Sequence, residues 1–214
     1  MSNAMMKVGC RFILAMVFIA VSAGAQAQLD PGWKILAREE MEPRLQKGVT
    51  AYQRNDYQTA LKEFKPLAAK GDAMAQFYLG RMYMQGLGIQ PDYNKAIVLT
   101  RKAAQHGVPE AQDLLGFLYY YGLGVKQDYK EAASWIRKAA DYGISEAQNN
   151  LGWLYEKGQG VPQDWAQAYV WFKLAEASGE SGAALRMKAA EPNLTPKQIE
   201  EAEALAKEWL AKHR

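Results

Sequence analysis

The chain has 214 residues, with 26 Lys and Arg against 23 Asp and Glu, a net charge of +3, one cysteine and two histidines. One cysteine excludes an internal disulfide framework, and with no His-x-x-Glu-His pattern or His/Cys cluster a zinc site is not expected. A charge this small, with no basic run, argues against nucleic acid or an anionic membrane as partner.

Met1 to Ala4 read as an expression-tag scar, with a natural start at Met5 or Met6. Lys7 and Arg11 precede an apolar run from Phe12 to Val21 and the small residues of Ser22 to Ala27. That order predicts a secretory signal peptide over 5–27, cut after Ala25 or after Ala27, since both satisfy the small-x-small rule. The apolar run is shorter than the ~18 residues of a spanning helix, so no membrane attachment is expected after cleavage. Setting aside Lys7 and Arg11 leaves 24 basic residues against 23 acidic ones and no cysteine, because Cys10 goes with the leader. The mature chain is then expected in the periplasm or outside the cell, held together by apolar packing alone.

Residues 28–70 predict a first helix pair. Trp33, Ile35, Leu36 and Met41 precede Pro43, which suits the first turn of a helix running to about Arg54. Asn55 and Asp56 make a tight turn, and Asp56 caps a second helix carrying Tyr57, Ala60, Leu61, Phe64 and Leu67.

Residues 71–178 contain one 36-residue pattern three times. Gly71, Gly107, Gly143 and Gly179 fall 36 apart, as do Ala75, Ala111, Ala147 and Ala183. Leu79-Gly80, Leu115-Gly116 and Leu151-Gly152 keep the step, and so do Tyr83, Tyr119 and Tyr155. A fixed period of this length predicts stacked units, none able to bury its apolar face without its neighbours. First helices are expected over 72–85, 109–121 and 145–157, with an inward stripe such as Ala75, Leu79, Met82 and Tyr83. Gly80, Gly116 and Gly152 lie mid-helix, where glycine costs ~1 kcal/mol, so close approach of the paired helix is their expected reason.

The turns open with Gly86, Gly122 and Gly158, each suited to a left-handed helix end, and lead into Asp92, Asp128 and Asp164 as caps. Asp128 with Glu131, and Asp164 with Gln167, have capping-box spacing. The Gly-x-Gly pairs close a helix, whereas phosphate cradles open one after a strand, so phosphate binding is not expected. The second helices are expected to bury Tyr93, Tyr129 and Trp165, then Ala96, Ala132 and Ala168, then Leu99, Trp135 and Trp171, then Ala103, Ala139 and Ala175. Over 179–214 the pattern decays. Thr195, Pro196 and Gln198 start a last helix whose stripe is Ile199, Ala202, Leu205, Ala206 and Trp209, the expected cap of the stack.

The run from Ala111 to Ala140, Ala-x3-Leu-Gly-x2-Tyr-x2-Gly-x-Gly-Val-x2-Asp-x3-Ala-x2-Trp-x2-Lys-Ala-Ala, resembles the Sel1-like repeat, a relative of the tetratricopeptide repeat. Three copies cover 71–178, and the opening pair resembles a tetratricopeptide unit. The departures are Leu99 where the other copies have Trp, Leu174 where they have Lys, and His106 where the next has Tyr142. The resemblance implies a right-handed all-α solenoid of antiparallel helix pairs, working as an exported adaptor without cofactor or metal. Its protein or peptide partner would dock in a concave groove lined by the first helices.

The groove residues are expected at i, i+3, i+7 and i+10, turned away from the core stripe. Copy one supplies Met74, Phe77, Arg81, Met84 and Gln85. Copy two gives Glu110, Asp113, Phe117, Tyr120 and Tyr121, and copy three Glu146, Asn149, Trp153, Glu156 and Lys157. Aromatics beside carboxylates suit an extended segment with cationic or apolar side chains. On a second reading, Phe117, Tyr120 and Trp153 wedge neighbouring first helices together. An envelope polysaccharide or peptidoglycan stacked on the same rings is the alternative ligand. Some cysteine-rich relatives of the repeat are linked to β-lactam hydrolysis, but Ser134, Ser145, Ser178 and Ser181 all lack a lysine three residues on, so no enzyme is expected.

Overall fold

The computed structural model describes residues 43–213. The scar, the leader, the approach through Trp33 to Met41 and Arg214 lie outside these residues. Among the described residues the chain is all α. Its first pair is α1 (Pro43–Gln53) and α2 (Tyr57–Ala69). Three pairs of equal length follow: α3 (Ala73–Gln85) with α4 (Tyr93–Gln105), α5 (Pro109–Tyr121) with α6 (Tyr129–Asp141), and α7 (Ser145–Lys157) with α8 (Trp165–Ala177). A short α9 (Ala183–Ala190), a 3-10 turn (Glu191–Asn193) and α10 (Pro196–Lys212) close the stack. From α1 to α9 each helix packs against the next in sequence, and α10 folds back onto α8, as a solenoid of consecutive helix pairs requires.

Turn chemistry explains why every pair has the same shape. Gly86, Gly122 and Gly158 end the first helices with φ of 70°, 69° and 66°, the left-handed region that favours glycine. Asp92 caps α4 by accepting from Lys95 N at 3.0 Å, and Asp164 caps α8 by accepting from Gln167 N at 2.9 Å. Neither Asp128 with Glu131 nor Asp164 with Gln167 forms the reciprocal half of a capping box. The backbone N–H groups of Asp128 and Asp164 instead donate to Tyr119 O and Tyr155 O, both at 3.0 Å, so they need no side-chain acceptor. Thr195 and Gln198 do complete a box at the start of α10.

The glycines of the first helices lie against their partners. A Cβ on Gly116 would sit 2.4 Å from Ile136 Cγ1 and 3.1 Å from Ala132 O, and one on Gly152 would meet the Phe172 ring at 2.7 Å. The second glycine of each turn reaches the preceding repeat. A Cβ on Gly124 would be 2.2 Å from Tyr93 O, and one on Gly160 would be 1.9 Å from Tyr129 O. These backbones therefore touch the starts of α4 and α6. That contact also corrects one expectation: Tyr93 is exposed and Tyr129 and Trp165 only half-buried, because the first residue of each second helix offers its main chain, not its ring, to the neighbour.

Two further ladders repeat with the 36-residue step. Gln76, Gln112 and Gln148 are buried, and their side-chain N–H groups donate to Ala68 O, Ala104 O and Ala140 O at 3.2, 3.3 and 3.3 Å. Arg101 donates to the Tyr119 hydroxyl at 3.1 Å, and Arg137 donates to the Tyr155 hydroxyl. Each ties a second helix, or the carbonyl at its end, to the first helix of the next repeat. At the far end Ala202 and Ala206 seal the core, while Leu205 of the expected stripe faces outward.

Substitutions at the two glycine positions should differ sharply from one at Gly182, where a Cβ meets nothing within 4 Å. Gly116→Leu should cost ~1–3 kcal/mol by overpacking, and Gly124→Ala about as much from its left-handed backbone and its neighbour. Gly182→Ala should stay within about 0.5 kcal/mol. Thermal denaturation checks all three, and equal melting temperatures would contradict the close-approach account.

Candidate functional site

First helices meet along one side of the stack. Residues of α3 and α5 come into contact across the repeat boundary. Two direct contacts join α5 to α7: Asn150 Nδ2 donates to Asp113 Oδ1 at 3.4 Å, and the Tyr120 and Trp153 rings meet edge-on with centroids 5.3 Å apart.

The expected groove positions separate into ranks according to where helix geometry aims them. Positions 77, 113 and 149 are equivalent in the three copies and point at the neighbouring repeat. Phe77 is only 5% exposed and packs with Ile97, Ala103 and Leu115, so it belongs to the core and is not available to a partner. Its expected place in the groove is thereby corrected: the offset that turns it from its own stripe turns it into the next repeat. Asp113 and Asn149 hold the same position with polar groups. Burial, and secondarily the nearby Glu146 carboxylate, push the Asp113 carboxyl up to about 7, against the opposing effect of the Asn150 hydrogen bond. Asn149 Oδ1 and Glu110 Oε2 are shut off from solvent without a hydrogen-bond partner. Among the described residues no basic side chain pairs with Glu110, Asp113 or Glu146.

Positions 81, 117 and 153, and the turn beyond them, form the open rank. Arg81 is exposed, Phe117 is 38% exposed and Tyr121 is 57% exposed. Phe117 and Tyr121 lie with ring centroids 4.6 Å apart, and Tyr121 meets Tyr120 at 4.8 Å. Tyr120 and Trp153 are half-buried. The Tyr120 hydroxyl donates to Gln159 Oε1 at 2.7 Å, and its ring also meets Tyr129 at 5.1 Å. Tyr120 is thus a wedge between repeats two and three, whereas Phe117 and Tyr121 stay open. Met84 is half-buried against the core, and Glu156 pairs with Lys157 at 2.5 Å.

Tyr52 and Tyr78 extend this face toward α1 and were not among the expected groove residues. Their rings lie 5.2 Å apart, and Tyr78 stacks on Phe64 at 5.0 Å. Burial raises the Tyr78 hydroxyl above its ordinary range, and nearby Glu110 adds to it. The repeat pattern gave no sign of Tyr78, because Leu114 and Asn150 hold its position in the other copies.

No nucleophile-and-base pair emerges around the histidines. His213 stacks on Trp209 at 3.9 Å, and His106 closes the end of α4. The Ser178 hydroxyl donates to Gln148 Oε1 at 3.4 Å, completing the third glutamine rung. No three His, Cys, Asp or Glu side chains among the described residues are placed to hold a metal ion, and no described helix is long and apolar enough to cross a membrane.

Solved structures with this architecture carry the same repeat. A Sel1 repeat protein from Oxalobacter formigenes superposes with a TM-score of 0.63 at 26% identity, over 75% of this chain and 68% of that one. The antigen c5321, described as a protective antigen of uropathogenic Escherichia coli displaying an SLR fold, gives a TM-score of 0.56 at 30% identity. That match spans 72% of this chain but 41% of the antigen. No curated protein matches the chain in sequence. The Sel1 repeat family model matches residues 73–108, 109–143 and 145–180, the three copies whose turns, rungs and glycine contacts are described above, and the chain belongs to the Sel1 repeat family.

Proposed function

We propose that this protein is an exported, non-catalytic scaffold that docks a protein or peptide partner in the concave groove formed by its first helices. Sel1-repeat solenoids serve in general as scaffolds for protein interaction, which gives the class. The observation that carries the site is the open pair Phe117 and Tyr121, two large aromatics left partly uncovered at mid-stack on the helix that also carries Glu110 and Asp113. Aromatics on a rigid helix are what interface anchors use, and the carboxylates favour a segment bearing Lys or Arg among apolar residues.

Capture of partners from envelope extract, read by quantitative mass spectrometry, tests this directly. Phe117→Ala with Tyr121→Ala should cost only ~1–2 kcal/mol of stability, since Tyr121 is 57% and Phe117 38% exposed, yet remove the captured partner. Tyr120→Ala with Trp153→Ala should instead lower the melting temperature markedly, because these rings join two repeats. Unchanged capture by the first pair overturns the reading, and capture of a polysaccharide in place of a protein replaces it with the glycan one.

Asp113 adds a pH signature. Its pKa in the fold lies above the ordinary value of 3.8, so folding takes up a proton, and the stability this gives is present at low pH and lost as pH rises toward 7. Besides burial, Glu146 and Asn150 on α7 are the groups bearing on it, and Asp113→Asn should remove this part of the slope between pH 4 and 8. A basic partner should bind more tightly above pH 7, where Asp113 is ionised. A variant whose stability curve parallels that of the parent would contradict the burial of this carboxyl.

Export rests on the leader read over 5–27. Expression of the full chain in a bacterial host should yield a periplasmic or secreted product beginning at Gln26 or Gln28, identified by N-terminal sequencing. A full-length cytoplasmic product would overturn it.

A further inference from the structure

The second-helix side carries one departure from the repeat that the groove does not use. In copy three, Arg137, Tyr155 and Trp171 form a filled stack: the guanidinium lies 5.5 Å from the Tyr155 centroid and 5.2 Å from the Trp171 ring. Copy two keeps the Arg101 and Tyr119 pair, while Trp135, partly buried on the same cluster, has Lys138 over its ring at 3.9 Å. The equivalent residues of copy one are Lys65, Tyr83 and Leu99. Tryptophan has become leucine and arginine lysine, and these three line an open cleft of about 760 Å³ between α2 and α4, floored by α3.

The lining states what would fill it. Ala68, Leu79, Leu99 and Val98 make it apolar, and Val98 is 47% exposed. Four lysines, Lys65, Lys70, Lys95 and Lys102, surround it against one acid, Asp92, which is already paired with Lys95 at 2.9 Å. These lysines are scattered in sequence, so no basic run announced them. Gln76 also lines the cleft. It is 4% exposed, its Nε2 is committed to Ala68 O, and its Oε1, like that of Gln112 in the next copy, is shut off from solvent.

We infer that this cleft is a second docking site, taking an acidic segment of a partner protein that inserts an aromatic side chain where the later repeats place their own tryptophan. The hollow has the position an indole occupies in the sequence register of the other copies, and its charge complements carboxylates. A nucleotide also joins a flat ring to an anion. Its base edge, however, needs several donors and acceptors, and the aliphatic side chains of Ala68, Leu79 and Leu99 supply none.

The test uses the peptide acetyl-Asp-Glu-Trp-Glu-amide and the 1H–15N spectrum of the full folded protein. Saturable shifts at the Gly71 amide and the Gln76 side-chain amide are expected. Affinity should fall at least about tenfold when Ala replaces the peptide's Trp, or when Asn and Gln replace its acids. Leu99→Trp with Lys65→Arg should rebuild the filled stack, raise the melting temperature and abolish the shifts. Should that variant misfold, Lys65→Glu with Lys102→Glu, both on exposed side chains, should abolish binding with the fold intact. Phe117→Ala with Tyr121→Ala should leave the shifts unchanged, so failure here and failure of the groove reading are distinguishable. No saturable shift up to about 10 mM, an affinity that cannot exceed about 3 kcal/mol, overturns the inference. So does equal binding of the Ala peptide, survival of binding in the rebuilt variant, or saturation by adenosine monophosphate in place of the peptide.

Discussion

The step from one repeat to the next is set where backbone meets backbone. The second turn glycines lie so close to the first carbonyl of the preceding second helix that no side chain fits between them, at Gly124 against Tyr93 and Gly160 against Tyr129. A contact between main chains has no rotamer to adjust, so it fixes a distance more rigidly than packed side chains do. The glutamine and arginine rungs span the same junction and have the reach that this spacing allows. Helices of equal length, turned through the same glycine and aspartate chemistry, then place each first helix beside the last. The shared face of the first helices is a consequence of that repetition.

The same regularity decides which residues are free to act. A position that recurs unchanged, such as Ala75, Ala111 and Ala147, is occupied by the demands of the stack. A position that changes between copies has been released from them, and the chemistry found there reflects something else. Positions 117 and 121 are released and partly open, which is why the proposed docking is placed on their aromatics. Position 113 is changed but not open: a carboxylate sits where copy one has a buried phenylalanine, and its proton affinity rises with the loss of water around it.

Much of the fold was legible because the period is uninterrupted. Every first helix ends within a residue of its expected limit, and the glycine and aspartate turns form as the spacing required. What escaped was contact between repeats. A helical stripe is read on one helix at a time, so it separates core from non-core but not groove from neighbour, and Phe77 fell on the wrong side of that division. The glutamine rung recurs at 76, 112 and 148 as faithfully as the alanines. A polar residue on a helix reads as exposed until the carbonyl it satisfies is located in the preceding helix. Leu205 failed for a different reason, since α10 packs through the small Ala202 and Ala206 and leaves its larger leucine outside.

Copy one shows what a departure does when it falls inside a packed junction. Replacing an indole by an isobutyl group in a core normally lets the surroundings collapse or leaves an empty cavity. Here neither neighbour can move in: the backbone contacts hold α2 and α4 at the common spacing, and Gly88 already approaches Tyr57 Cβ within what a side chain would need. The spacing is imposed by the whole array while the filling is chosen locally, so departures at 65 and 99 open a cleft without loosening the fold. A stack of this kind can therefore acquire sites on either side by omission, and the omitted ring specifies the shape of what the site can accept.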